Sequence, residues 1–184
     1  MILTRYIGYG SQSEIELPES MKLAANFTLK ELANNLGDVK LPKYLISEHS
    51  VRFNAMLQQF RTLYGKSIEP TSGYRQAAFN KKVGGSSNSM HLYACACDFV
   101  DKYNKEPFTV ISYWLRVLAQ SGIIGAVNIY NEGSLKRYHV EAFSDVYQDM
   151  KVNTIRVYSG AAEYAKIKAY YYPLGFEVIY YGQK

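Results

Sequence analysis

The sequence predicts a single domain of the α+β class. At 184 residues, the chain has the size of one domain with a complete hydrophobic core. Helical patterns come first along the chain, and strands that suit antiparallel pairing dominate later. Helices and strands that segregate in this way are typical of α+β folds, in which helices pack on an antiparallel sheet.

Two long helices are predicted from apolar residues that recur at spacings of three and four. The first covers residues 41–65, from a Leu-Pro pair to a terminal glycine, and the second covers residues 107–122. A threonine and a glutamate three residues apart form a capping box, which predicts a short helix at residues 28–36. Further helices are predicted at residues 75–83 and 160–170.

Short runs of β-branched, aromatic and small residues predict the strands. They lie at residues 67–71, 94–100, 123–130, 137–143, 153–158 and 175–181, and the loop at residues 131–134 marks a hairpin. Residues 1–25 show little periodicity and are predicted to form an N-terminal arm. Residues 26–150 are predicted to form the main domain, and residues 151–184 a helix–strand extension that packs on it.

Composition limits the function classes. The net charge is +5, but no basic run reaches five residues, so we expect no nucleic-acid partner. No apolar stretch is long enough to span a membrane or to serve as a signal peptide, which predicts a protein made in the cytoplasm. The two cysteines, Cys95 and Cys97, are predicted to be reduced core residues. The oligomeric state is left open.

His91, Asp98 and His139 are candidate zinc ligands. Zinc accepts imidazole nitrogen and carboxylate oxygen, and a catalytic site keeps a fourth position open for water. Two histidines and one aspartate would leave that position open. On residue types alone, a histidine beside a strand is more often a satisfied core or surface group, and an aspartate at a strand end is usually a cap or turn residue.

Several segments resemble a known family. Residues 89–98 resemble a Ser-x-His-x-x-Gly-x-Ala-x-Asp motif, and residues 72–75 resemble Ser-Gly-Tyr-Arg. Residues 80–85 resemble Asn-x-x-Val-Gly-Gly, and residues 139–141 resemble His-Val-Asp. With an opening-helix match at 26–32 and a Gly-Gly-Ile-Gly-like segment at 122–125, these occur in the order found in the D-alanyl-D-alanine carboxypeptidase family of zinc peptidases. That family includes VanX-type dipeptidases and phage L-alanyl-D-glutamate endolysins, and is related to the hedgehog fold.

The resemblance implies a function and roles for individual residues. It implies a central antiparallel sheet with helices mainly on one face, and a zinc peptidase domain at residues 26–150. The substrate would be a peptide bond of peptidoglycan stem peptides or cross-links. His91, Asp98 and His139 would bind Zn²⁺, Arg75 would orient or polarise the substrate carbonyl, and Ser89 would help to hold a substrate carboxylate.

The general base departs from the pattern of many relatives. Many relatives carry a carboxylate three residues before the last histidine, where this chain has Lys136. Glu141 lies on the same strand face as His139 and is predicted to accept the proton of a zinc-activated water. Glu132 is the reserve candidate, and a supporting role for Glu141 is the alternative.

A second departure from the family pattern leaves alternatives open. Ala94 replaces a glycine of the family motif, which is costly only if the position needs a positive φ. With the change of base, it allows a second hypothesis, a zinc-containing binding module with weak or no catalysis. The enzyme hypothesis fits either a phage-type lysis enzyme that reaches the cell wall with help or a dipeptidase that stays in the cytoplasm.

Overall fold

The computed structural model describes residues 14–15, 22–33, 41–42, 48–103, 107–132, 135–142 and 152–182. Most of the predicted N-terminal arm lies outside these residues. The described part includes two small antiparallel pairs. Strand β1 (Glu14–Ile15) pairs with β4 (Leu41–Pro42), and β2 (Lys22–Ala24) pairs with β3 (Phe27–Thr28).

A six-stranded sheet forms the centre of the fold. Its strands are β5 (Glu69–Ser72), β6 (Ala96–Asp101), β7 (Gly125–Glu132), β8 (Leu135–Ala142), β9 (Thr154–Tyr158) and β10 (Glu177–Tyr180). The spatial order is β10-β9-β7-β8-β6-β5. The four strands from β5 to β8 pair antiparallel, as predicted, whereas β9 and β10 run parallel to β7.

Strands β9 and β10 are parallel to each other because of the way the chain connects them. Strand β9 connects to β10 through α5 (Ala161–Tyr171), and a helix that crosses over between neighbouring strands returns the chain in the same direction. The predicted strands at 153–158 and 175–181 and the helix at 160–170 are all present, within two residues at each end. They extend the sheet that carries β5 to β8.

The remaining helices are α1 (Leu29–Leu32), α2 (Glu48–Tyr64), α3 (Ala77–Lys82) and α4 (Pro107–Ser121). The capping box is confirmed, because the Glu31 amide donates to Thr28 Oγ1 at 3.3 Å and the Thr28 amide donates to Glu31 Oε2 at 2.7 Å. The helix predicted at 41–65 is described from Glu48 to Tyr64. Its first two predicted residues pair with β1 as a strand instead.

Helices α2, α4 and α5 cover one face of the sheet, in agreement with the expected α+β architecture. Trp114 of α4 is fully buried, its ring meets Phe53 and Phe60 edge-on, and its Nε1 donates to the Ala126 carbonyl at 3.0 Å. Within β8, Tyr138 and Val140 are buried in this core. Because side chains alternate along a strand, residues 137, 139 and 141 point to the opposite face.

Two smaller predictions concern the cysteines and the membrane. Cys95 and Cys97 are both buried and unbridged, so their prediction as reduced core residues is confirmed. Among the described helices, none is both long and apolar enough to cross a membrane.

Candidate metal centre and substrate cleft

The three candidate ligands come together on the sheet face that the helices leave open. His91 lies in a 3₁₀ turn, Met90–Tyr93, that leads into β6, and Asp98 lies within β6. His139 lies directly opposite Asp98 in the antiparallel β6–β8 pair. Residues opposite each other across two strands have neighbouring side chains. The register thus places two donors together, and the turn brings the third.

The donor atoms lie close to the spacing that a zinc ion needs. His139 Nδ1 lies 2.7 Å from Asp98 Oδ1 and 3.1 Å from His91 Nε2, and His91 Nε2 lies 3.3 Å from Asp98 Oδ1. Tetrahedral ligands about 2.0–2.1 Å from zinc lie about 3.3 Å apart. All three residues are buried and form a group that could hold a metal ion. The residues therefore fit zinc in both donor type and spacing.

The backbone of Gly73 fixes the orientation of His91. His91 Nδ1 donates to the Gly73 carbonyl at 2.6 Å, since a carbonyl oxygen can only accept. Nε2 is then the unprotonated nitrogen and faces the other two donors. A hydrogen bond of this kind on the far ring nitrogen is the usual support for a metal-binding histidine.

Glu141 gives His139 the equivalent support. His139 Nε2 donates to Glu141 Oε2 at 2.8 Å, while Nδ1 faces Asp98 and His91. The other oxygen of Glu141 accepts from Arg156 Nη1 at 2.6 Å. Both carboxylate oxygens are thus engaged by protein groups.

The metal-free centre holds one extra proton. Burial lowers the pKa of His91. Burial acts in the same direction on His139, but Glu141 and Asp98 outweigh it and raise its pKa to about 9. Burial alone would raise the pKa of Asp98, yet its hydrogen bonds with His139 and His91 hold that pKa well below its usual value. At neutral pH the site is therefore a carboxylate, a neutral imidazole and an imidazolium.

Zinc binding is expected to release about one proton per ion at pH 7. Metal binding needs a deprotonated Nδ1 on His139, and this group is protonated below a pKa of about 9 in the metal-free protein. Zinc affinity should therefore rise with pH up to about pH 9 and then level off. Calorimetric titration of zinc in buffers with different heats of ionisation measures the proton count. No net release at pH 7 would contradict the protonated state of His139.

The donors lie in an open cleft of about 780 Å³. Arg75 lines it, with Nη2 donating to Asp98 Oδ2 at 2.5 Å and Nε donating to Ser72 Oγ at 2.7 Å. Within the part of the chain that the structure describes, its Nη1 has no hydrogen-bond partner, so this nitrogen can donate to a substrate. Ser89 also lines the cleft, and its hydroxyl does not cap the turn that follows.

A glycine-rich loop at residues 83–89 forms one side of the cleft. Asn80 is buried and its Nδ2 donates to the Ser86 carbonyl at 2.7 Å. A Cβ on Gly85 would lie 2.1 Å from Asn80 Oδ1, which is closer than atoms can approach. Gly85 therefore leaves the space that the buried Asn80 amide occupies.

The structure describes no carboxylate beside the donors at the other two positions considered for the base. Lys136, at the position where relatives carry a carboxylate, lies on the helix-covered side of β8 and pairs with Glu163 at 3.6 Å. The side chain of Glu132 lies outside the described residues. Glu141 is therefore the candidate base whose side-chain contacts the structure describes.

Sequence reasoning missed the opposite side of the cleft. It is lined by Asn128, Tyr130, Arg137, Arg156, Tyr158 and Tyr181. The rings of Tyr130, Tyr158 and Tyr181 stack in a row with centroids 4.6 Å apart, and the Arg137 guanidinium lies over the first ring. Strand alternation from His139 could have identified Arg137. The others depend on which strands become neighbours, which no local pattern in the sequence specifies.

The family pattern of Peptidase M15 matches residues 25–131, which is more than half of the chain. The chain belongs to the peptidase M15 family. By family it is a metallopeptidase, and its substrate is a peptide. The match includes Arg75, Ser89, His91 and Asp98 and ends before His139. Among curated proteins, no sequence is similar enough to this chain to count as a match.

Ala94 occupies a strained backbone position in this M15 chain. It caps the 3₁₀ turn with φ of 54° and is the one described non-glycine residue with a positive φ. A left-handed conformation costs a residue with a Cβ about 1–2 kcal/mol. The position therefore needs the backbone of glycine, and alanine occupies it at a cost.

Replacing Ala94 with glycine is expected to stabilise the protein by about 0.5–1 kcal/mol. The relief of strain exceeds the entropy that glycine gains in the unfolded chain. Urea unfolding of metal-free protein measures the difference. Ala165→Gly, at an exposed position inside α5, is the matched control and should destabilise by about 1 kcal/mol. A loss of stability in Ala94→Gly would contradict the strain.

Proposed function

We propose that the chain is a zinc peptidase that hydrolyses peptide bonds in peptidoglycan stem peptides or cross-links. The observation that carries the proposal is the convergence of His91, Asp98 and His139 in an open cleft of an M15-family chain. The ordered motif resemblance supports the peptidoglycan substrate. The net charge of +5 suits contact with an anionic cell wall.

Each cleft residue has a proposed role. His91, Asp98 and His139 would hold the zinc ion, which supplies Lewis acidity to activate water and polarise the substrate carbonyl. Arg75 is anchored by Ser72 and Asp98, so its guanidinium is fixed beside the donors and can stabilise negative charge on the carbonyl oxygen. Ser89 offers a hydroxyl to a substrate carboxylate.

The contacts of Glu141 favour support of His139 over proton transfer. Burial raises the pKa of Glu141, but His139 and Arg156 outweigh it and lower that pKa to about 2. An efficient general base has a pKa near the working pH. Glu141 as the base remains a prediction that Glu141→Gln tests, because loss of turnover with zinc still bound would support it.

Digestion of purified muropeptides with the zinc-loaded protein tests the proposal. We expect wild type to release new peptide products, which mass spectrometry identifies together with the bond that is cut. His91→Ala should lose at least about 10³-fold in rate, since one of three ligands is removed. Arg116→Gln, an exposed change on α4, serves as the control and should match wild type. Equal products from His91→Ala and wild type would reject the proposal.

A second candidate function is a zinc-containing module that binds cell-wall peptides without cutting them. The observation that favours it is the engagement of both Glu141 oxygens, together with Lys136 in place of the usual carboxylate. One zinc per chain and saturable muropeptide binding, with no product after long incubation, would support this function. Product formation that depends on His91 would exclude it.

A further inference from the structure

We propose that Arg156 is a positioning residue for the metal centre, because it holds Glu141 and Glu141 holds the imidazole of His139. This inference rests on the proposed zinc site but not on turnover. Arg156 lies in β9, outside the family-matched residues 25–131. The C-terminal segment therefore contributes to the site rather than only extending the sheet.

The geometry forms a continuous chain of hydrogen bonds. Arg156 Nη1 donates to Glu141 Oε1 at 2.6 Å and to Asn128 Oδ1 at 3.2 Å. Glu141 Oε2 accepts from His139 Nε2 at 2.8 Å. The Glu141 side chain is 8% exposed and that of Arg156 is 21% exposed, so solvent competes little for these contacts. Charge-assisted bonds in such surroundings are stronger than bonds between neutral groups.

Sheet register brings these residues together. His139 in β8 lies opposite Asn128 in β7, and Asn128 lies opposite Arg156 in β9. The three therefore form one row across the sheet. Glu141 is two residues further along β8 on the same face, which is within diagonal reach of a long side chain. Arg156 can reach Glu141 only because β9 pairs with β7 in this register.

The contact between Arg156 and Glu141 affects the orientation of the metal ligand His139. With Nε2–H held by Glu141, the His139 ring presents Nδ1 to Asp98 and His91. Without Arg156, the buried carboxylate of Glu141 loses its cationic partner and can turn away from the ring. Loss of such an outer contact typically lowers metal affinity 10–100-fold. An arginine that only stabilised the sheet would leave affinity and ligand geometry unchanged.

Zinc affinity and the absorption spectrum of the cobalt-substituted protein test the proposal. Chelator competition should show 10–100-fold weaker zinc binding in Arg156→Gln, with shifted cobalt bands. Arg156→Lys keeps the charge and should recover part of the affinity. Arg116→Gln should match wild type in both measurements. In the double variant Arg156→Gln/Glu141→Gln, the loss of zinc-binding free energy should be clearly smaller than the sum of the two single losses. Both changes interrupt the same chain of hydrogen bonds.

Wild-type affinity and an unchanged cobalt spectrum in Arg156→Gln would overturn the proposal, as would additive losses in the double variant. Failure of wild type to bind zinc would reject it together with the proposed zinc site. Tight zinc binding without peptide products would reject only the proposed activity. Should Arg156→Gln fail to fold, zinc affinity and the cobalt spectrum are compared with wild type in Arg156→Lys and Glu141→Gln instead.

Discussion

Asp98→Asn is expected to weaken zinc binding by at least roughly 10³-fold and to remove peptidase activity with it. Asp98 provides the one negative charge among the three donors, and its Oδ1 contacts both histidines. A unit charge pair at about 4 Å is worth about 4 kcal/mol at an effective dielectric constant of 20, which corresponds to roughly 10³-fold in affinity. Chelator competition measures the loss directly.

The same change should destabilise the metal-free protein. Arg75 donates to Asp98 Oδ2, and its side chain is only 14% exposed. Removal of the carboxylate charge leaves the guanidinium without its anionic partner, which typically costs about 3–5 kcal/mol when the pair is buried. Urea unfolding of metal-free Asp98→Asn therefore separates the structural part of the effect from the loss of metal.

The double variant Arg75→Gln/Asp98→Asn is the matched control. It removes the unpaired cation, so stability should recover in part while zinc affinity should not. Zinc binding within about threefold of wild type in Asp98→Asn would contradict the assignment of Asp98 as a ligand. Unchanged stability in that variant would contradict the structural importance of its pair with Arg75.

Local patterns in the sequence predicted the elements that carry the donors. The helix at 107–122 and the hairpin around residue 133 follow from spacing and turn residues, and strand alternation already placed residues 139 and 141 on one face. The three donor positions came from motif order. Their proximity depends on the β6–β8 register, which only the structure shows.

Three features of the structure were not predicted from the sequence, and each has a physical cause. Pro42 suits the first turn of a helix, but it also suits an edge strand, and tertiary pairing with β1 decided between them. Nothing within residues 153–158 identifies β7 as their partner, so the contact between Arg156 and Glu141 could not be predicted. The residue type at position 94 did not reveal its φ; the backbone had to be seen.

Gly73→Ala is expected to destabilise the protein by about 3 kcal/mol and to weaken zinc binding 10–100-fold. A Cβ on Gly73 would lie 1.9 Å from the Leu32 carbonyl oxygen and 2.6 Å from its carbon. These are backbone atoms, so no side-chain rotation can relieve the clash. Helix α1 and β5 must move apart, which disturbs the hydrogen bond from the Tyr74 amide to Leu32 at 2.7 Å.

The loss of zinc affinity separates this position from an ordinary packing glycine. The Gly73 carbonyl accepts from His91 Nδ1, so a shift of this backbone also turns the His91 ring. Gly160→Ala is the control, because a Cβ there meets nothing within 4 Å; it should cost less than about 1 kcal/mol and leave zinc affinity unchanged. If Gly73→Ala lost stability but kept wild-type zinc affinity, the ring orientation of His91 would not depend on the Gly73 carbonyl.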